Sequence, residues 1–268
     1  MGRFAPVAPL EIVKELEERN VLGDYHLLLA HDVLANREEY SNIFGGKGYD
    51  IIMDNSLIEL GYPMPMPETM EAAKVVGASY FVLPDVLMDY DRTMAMTVKG
   101  LQEYDRIKHE RPSETQLPTP VPVVQGKNLD EMINFISELD KINRMHNLFE
   151  VFCVPRVIAN QLGTRRDIIE ACTAHGYSIH MLGFSDHKLD DIACARMPGV
   201  MGIDSAEPVR LGINGYNMSL DFPKDPGPRR NYWGAPLEGK SPQAKETALA
   251  MAAFNCNRYR EWIEPKKV

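Results

Sequence analysis

Apolar residues along this chain fall into short runs separated by segments with helical spacing. The runs are Tyr25–Ala30, Ile51–Met53, Tyr80–Leu83, Val121–Val124, Glu150–Val154, Ser178–Leu182 and Val200–Ile203, each rich in Val, Ile, Leu or aromatic residues. Such runs predict strands buried on both faces. Between them, Leu129, Met132, Ile133, Ile136 and Leu139 recur on one face and predict an amphipathic helix over Leu129–Ile142. A second helix is predicted from Thr164, with Asp167 in a near capping box, to a stop at Gly176. A third follows Ser185 and carries Leu189, Ile192 and Ala193 on one face, and Ser241-Pro242 is an N-cap and N1 pair for a last helix through Ala248, Met251 and Ile263. Residues 213–220 read as the final strand, and the Pro/Gly-rich stretch at about 221–241 as an irregular basic excursion. Strand, loop and helix repeat at least six times, the pattern of parallel βα units. The expectation is an α/β fold, a (β/α)8 TIM-type barrel in one domain over residues 1–268.

Composition narrows the setting. With 268 residues, 44% hydrophobic and 25% charged, the chain can bury one large core. No 18-residue apolar stretch occurs and the N-terminal segment has no long apolar region, so a soluble cytoplasmic protein with no membrane partner is expected. Cys153, Cys172, Cys194 and Cys256 are scattered, without CxxC or CxC, and read as buried free thiols. The net charge of −9 argues against a general nucleic-acid binder, but its distribution is uneven. Residues 224–268 hold nine Lys/Arg against five Asp/Glu, leaving 20 against 33 in residues 1–223. Lys224, Arg229, Arg230, Lys240, Arg258, Arg260, Lys266 and Lys267 alternate there with Tyr232, Trp233, Tyr259 and Trp262. Such a tail could contact phosphates and stack on bases, or be the solvated basic end of a helix.

The strand ends carry the chemistry. In a parallel α/β sheet or barrel they line one rim, and here they present Asp54-Asn55, Asp85, Gln125-Gly126, Val154-Pro155-Arg156, Gly183-Phe184 and Asp204. Asp54 and Asp204, 150 residues apart, each close an apolar run and suggest an acid/base and nucleophile pair. Any one of these aspartates could instead be a helix cap or a loop hydrogen-bond acceptor. Three carboxylates and an amide converging on one pocket is unusual for a structural core, because a buried Asp must be paired, hydrogen-bonded or protonated.

At these residues the chain resembles the guanine transglycosylases, which exchange guanine for a 7-deazaguanine in tRNA or DNA. VMGIDSAEPVRLGING, residues 200–215, is similar to the family's nucleophile segment: an apolar strand ending in Asp204, then Pro208, Arg210 and Gly212-Ile213-Asn214-Gly215. IIMDNS, LPDV, VVQG and MLGFSDHKLDDI resemble four further family segments in the same order, so the likeness covers about residues 50–215. It implies Asp204 as nucleophile, Asp54 as general acid/base, and Asp85 as acceptor for the N1 and 2-amino hydrogens of the base. Gln125 and the Gly126 amide would stand near the O6 edge, with Asn55, Ile58, Val154, Leu182, Gly183 and Phe184 around the base. Retaining double displacement is the implied mechanism.

Three departures stand beside the likeness. The Cys-x-Cys-x-x-Cys zinc motif of the tRNA enzymes has no counterpart, so neither metal nor cofactor is expected. Asn55-Ser56-Leu57-Ile58 replaces Ser-Gly-Gly-aromatic, which leaves Leu182 with Ile58, or Phe184, to hold the base. The shortened form looks more like the phage-type enzymes that act on DNA, which would place it in a host cytoplasm. The implied partners are duplex DNA, ahead of tRNA, and a 7-deazaguanine of the preQ0 type, with Arg156, Lys188, Arg210, Arg229, Arg230, Lys240 and Arg258 at the phosphates. A metal-dependent barrel hydrolase with His26, His31, His180 and the aspartates as ligands is the reading of another class, without HxH or HExxH spacing in its support.

Overall fold

The computed structural model describes residues 2–110, 117–218, 232–233 and 235–264. Its strands are β1 (Arg3–Pro6), β2 (Tyr25–Leu29), β3 (Asp50–Asp54), β4 (Tyr80–Val82), β5 (Thr119–Val121), β6 (Val151–Pro155), β7 (Ser178–Leu182) and β8 (Val200–Ser205). Helices cover α1 (Leu10–Glu18), α2 (Ala30–Ala35), α3 (Arg37–Phe44), α4 (Leu57–Leu60), α5 (Met66–Val76) and α6 (Tyr90–Glu110). They continue with α7 (Leu129–His146), α8 (Arg156–Leu162), α9 (Arg166–Ala174), α10 (Lys188–Ala195), α11 (Glu207–Ile213) and α12 (Pro242–Ile263). The architecture is α/β, with two parallel four-stranded sheets ordered β1-β8-β7-β6 and β2-β3-β4-β5. No helix among the described residues is long and apolar enough to cross a membrane.

All seven strand runs read from the sequence are strands or border one, because every one is apolar on both faces. Along each strand, neighbouring residues go to different clusters. Phe4, Leu28, Ile51, Met53, Phe81, Phe152 and Ile203 face the helices. Ala5, Leu27, Leu29, Ile52, Val82, Val121, Val151 and Cys153 form a second cluster drawn from both sheets. At one junction of the sheets Val123 bridges Cys153 in parallel, the Cys153 amide donating to Pro122 O and the Val124 amide to Cys153 O, each 2.9 Å. At the other junction β1 lies against β2. Pro122 lacks an N–H, which is why β5 ends at Val121 and the ladder resumes only as a bridge.

The eighth strand is not where the pattern put it. Ile213 is the last residue of α11, Asn214 and Gly215 turn, and Tyr216–Met218 has no regular structure. Asn255 on α12 holds that segment, its amide donating to Pro208 O (3.2 Å) and Tyr216 O (2.9 Å) while its oxygen accepts from the Met218 amide (3.0 Å). The strand is instead β1, in register with β8 from Arg3↔Gly202 to Pro6↔Ser205. Four residues ending in proline carry too little periodicity to be recognised alone.

Helix expectations fare unevenly. Asn128 caps α7 by accepting from the Glu131 amide, and Glu131 returns a bond to the Lys127 amide. Ser241 caps α12 through the Ala244 amide (3.3 Å). Thr164 accepts from the Arg166 amide rather than capping through Asp167. On α10 the expected face is wrong: Asp191, Cys194 and Ala195 are buried, whereas Leu189 is 76% exposed and Ala193 faces solvent. A buried Arg165–Asp191 ion pair turns the helix so that a carboxylate faces inward. All four cysteines are buried free thiols. The expected basic excursion at 221–241 falls mostly outside the described residues, as do Lys224, Arg229, Arg230, Lys266 and Lys267.

Candidate active site

The C-terminal ends of β2, β3, β6, β7 and β8 open on a cavity of about 870 Å³. Asp54, Asn55, Asp85 and Asp204 line it together, as do Leu182, Gly183 and Phe184, and Ile58, Arg156, Lys188 and Arg210. Eleven of the residues singled out in the sequence therefore meet in one place.

Asp54 ends β3, and the turn after it is built from side chains. Asp54 Oδ2 accepts from the Ser56 amide (2.8 Å) and Asn55 Oδ1 from the Leu57 amide (3.0 Å), with Ser56 held at φ 60°. Burial holds the Asp54 carboxyl well above the usual carboxylate range, reinforced by the charges of Glu59, Asp204 and Asp85 against the Ser56 bond. It is thus disposed to carry a proton. Glu59, on α4, is raised by its own burial and by Asp204, and lowered by Arg156. This further acid was not read from the sequence, where it appears as one polar residue in a short loop.

Asp85 follows β4. Its Oδ1 accepts from Asn55 Nδ2 (2.8 Å) and its Oδ2 from Gln125 Nε2 (2.7 Å), while Asn55 also donates to Leu83 O (2.9 Å) and Gln125 Oε1 accepts from the Met88 amide (2.9 Å). Burial raises the Asp85 pKa, and these two donors work against the rise. Gln125 is fully buried and does not reach the cavity. Nor does Gly126, where an added Cβ would lie 3.0 Å from Glu131 Cβ on α7, nor the fully buried Val154. In this structure Gln125 supports Asp85, Gly126 packs a loop on α7, and Val154 belongs to the core.

Asp204, on β8, is held from one side only. Its Oδ1 accepts from the Gly183 amide (2.9 Å) and stands 3.1 Å from His180 Nε2, whose Nδ1 lies 2.7 Å from the Tyr25 hydroxyl. Oδ2 accepts no hydrogen bond among the described residues. His180 and Tyr25 are buried. Gly202 makes room for this line, since a Cβ there would lie 2.3 Å from the Tyr25 ring.

The cavity lining is rich in carboxyl groups. Six carboxylates, Asp54, Glu59, Asp85, Asp186, Asp204 and Glu207, line the cavity against three cations, Arg156, Lys188 and Arg210. Glu207 pairs with Lys188 and accepts from the Tyr259 hydroxyl (2.5 Å). Ile58 is 61% exposed at the rim, Leu182 is half-buried, and Phe184 is largely spent on an edge contact with Tyr259, ring centroids 5.0 Å apart. Trp233, half-buried on the inner cluster, is the aromatic lining residue that the sequence reading assigned elsewhere.

The basic tail divides on inspection. Tyr259 and Tyr232 are buried, and Trp262 packs on the core, so these three are internal packing rather than base-stacking surfaces. Arg260 donates to Val21 O (2.8 Å) and Leu22 O (3.1 Å), fastening α12 to the loop before β2. Arg258 pairs with Glu261 (2.6 Å) over Trp262, and Lys240 lines a separate cavity beside Asn214 and Gly215. His26 is packed between Phe44 and Tyr49, each centroid 4.9 Å away, and no group of three or more His, Cys, Asp or Glu that could hold a metal ion occurs among the described residues. The chain matches no protein-family model, and no curated protein matches it.

Proposed function

We propose that the chain is a base-exchanging glycosyl transferase, a guanine transglycosylase in which Asp204 is the nucleophile and Asp54 the general acid/base. The observation that carries this reading is the unequal pair on one cavity: an Asp54 whose burial raises its pKa and an Asp204 with Oδ2 open. In the first displacement the Asp204 Oδ2 lone pair bonds C1′ while the C1′–N9 pair leaves with guanine, which takes the Asp54 proton. In the second, the incoming base gives its N9 proton to Asp54 and bonds C1′, and the C1′–Oδ2 pair returns to Asp204. Two inversions retain the configuration. The acidic wall suits the oxocarbenium character at C1′, and Asp85, an acceptor fixed by Asn55 and Gln125, suits a guanine edge with two donors.

The two sheets are read as halves of a single (β/α)8 barrel domain, supported by the Val123–Cys153 bridge, the β1–β2 contact and the inner cluster shared by both sheets. Duplex DNA is the preferred polymer, with Arg156, Lys188 and Arg210 at the rim, and the target nucleotide must leave the stack to enter the cavity. The test is incorporation of labelled guanine or preQ0 by the purified protein, offered duplex DNA and bulk tRNA in parallel, with and without chelator. Label in DNA unaffected by chelator is expected; label in tRNA alone overturns the DNA assignment, and none in either overturns the activity. Asp204→Asn should abolish exchange and any covalent polymer adduct with the fold intact, so an adduct surviving in that variant removes Asp204 from its role.

A further inference from the structure

We propose that His180 and Tyr25 are positioning residues that orient Asp204 and assign its two oxygens different tasks, Oδ1 clamped and Oδ2 attacking. This rests on the base-exchange reading, but its geometry does not. The Tyr25 hydroxyl has one partner among the described residues, His180 Nδ1 at 2.7 Å. A buried hydroxyl hydrogen takes the acceptor within reach, so Tyr25 donates and Nδ1 accepts. The imidazole then carries its hydrogen on Nε2 and donates to Asp204 Oδ1, 3.1 Å away. Burial also pushes the Tyr25 phenol well up, so it keeps the hydrogen it donates. The direction of the whole line, from Tyr25 through His180 to Asp204, follows from hydrogen-bond satisfaction.

The arrangement has a chemical consequence. When Oδ2 bonds C1′, Asp204 becomes an ester whose carbonyl oxygen is Oδ1, still facing His180 Nε2–H and Gly183 N–H. When the ester breaks, negative charge returns to the carboxylate, where these two donors stabilise it. They make Asp204 a better leaving group at some cost to its strength as a nucleophile. Removing the His180 donor therefore slows the second displacement more than the first, and the covalent intermediate accumulates. The neighbours that make this possible are specific: Gly202 leaves room for the Tyr25 ring, over which the Arg3 guanidinium sits at 4.3 Å, and Cys153 stands opposite His180 in the β6–β7 register.

The experiment has two arms. Imidazole 15N NMR of the wild-type protein at neutral pH should show His180 protonated at Nε2 and not at Nδ1; a proton on Nδ1, alone or in a doubly protonated ring, overturns the proposal whatever the enzyme does. In steady-state exchange, His180→Ala should lower kcat about tenfold to a hundredfold, the worth of a hydrogen bond to a charged group. KM for the polymer should fall together with kcat, because the enzyme then rests as the covalent intermediate; the trapped adduct fraction should rise above wild type, and His180→Gln, which restores a donor near Nε2, should recover most of the loss. Unchanged kcat and adduct fraction in His180→Ala overturn the proposal. Should that variant fail to fold, Tyr25→Phe, which keeps the ring and removes the donor, is expected to lower kcat and KM together and raise the adduct fraction, and an unchanged kcat there counts against it equally. Absence of exchange and adduct in the wild type overturns the base-exchange reading instead, and the NMR arm then decides the hydrogen-bond line alone.

Discussion

Asp54 shows how a single carboxyl is tuned by what surrounds it. Folding raises its pKa, so the folded protein binds the proton more tightly than the unfolded chain does. The stability this gives is complete below the ordinary carboxylate range and is lost as pH climbs from that range toward the raised value. Asp54→Asn keeps an acceptor for the Ser56 amide and removes the titration. Its Tm should exceed wild type at about pH 8 and match it near about pH 3, as thermal unfolding across pH would measure. Exchange should be lost in the same variant, and in wild type kcat should fall as pH passes the raised Asp54 value. Gly202 is the other decisive residue. Gly202→Ala places a methyl against the Tyr25 ring and 2.5 Å from Arg3 O, and overpacking of this kind costs about 1–3 kcal/mol in denaturant unfolding. The Asp204 run was legible because strand, carboxylate and the residues after it are local; the glycine two positions before Asp204 gave no sign that it serves a tyrosine 177 residues away.

Elements are held in place here by buried polar clips as much as by apolar faces. Arg165 is fully buried, donates to Val154 O (3.2 Å) and Leu182 O (3.4 Å) at the ends of β6 and β7, and pairs with Asp191 on α10 (2.6 Å). Asp191 in turn accepts from the Ser185 amide (2.6 Å) and hydroxyl (2.7 Å), fixing the loop that carries Gly183 and Phe184 to the cavity. Asp191→Ala strands the arginine charge and should cost about 3–5 kcal/mol in denaturant unfolding, where an ordinary surface change costs under about 0.5. Helix periodicity found α7 and α12 because their caps and apolar stripes are written in consecutive residues. It misjudged α10 because the inward carboxylate has meaning only beside Arg165. Gly212, taken as part of a sequence motif, is also a packing device: a Cβ there would fall 2.3 Å from Ala252 N, so α11 and α12 approach backbone to backbone.

Across the whole molecule the two sheets share an inner apolar cluster, and their junction at Val123 and Cys153 is the point to probe. If the sheets form one closed barrel, the amides of Val124 and Cys153 should exchange with deuterium as slowly as those of Ile52 and Val82 inside the ladders. Fast exchange at those two amides would mean that the sheets open independently. Parallel strands, their order along the chain, the buried thiols and the gathering of Asp54, Asp85 and Asp204 at one rim were all readable in the chain, since alternating βα units leave few ways to pack and bring every strand end to the same side. Pairing between distant segments was not readable. That β1 lies beside β8 while residues 213–218 form no strand, that Gln125 holds Asp85, and that Tyr25 reaches Asp204 through His180 are settled by contacts between residues far apart in the chain. Hydrophobic periodicity records which side of an element is buried; which partner each buried polar atom finds depends on the packed geometry of the whole.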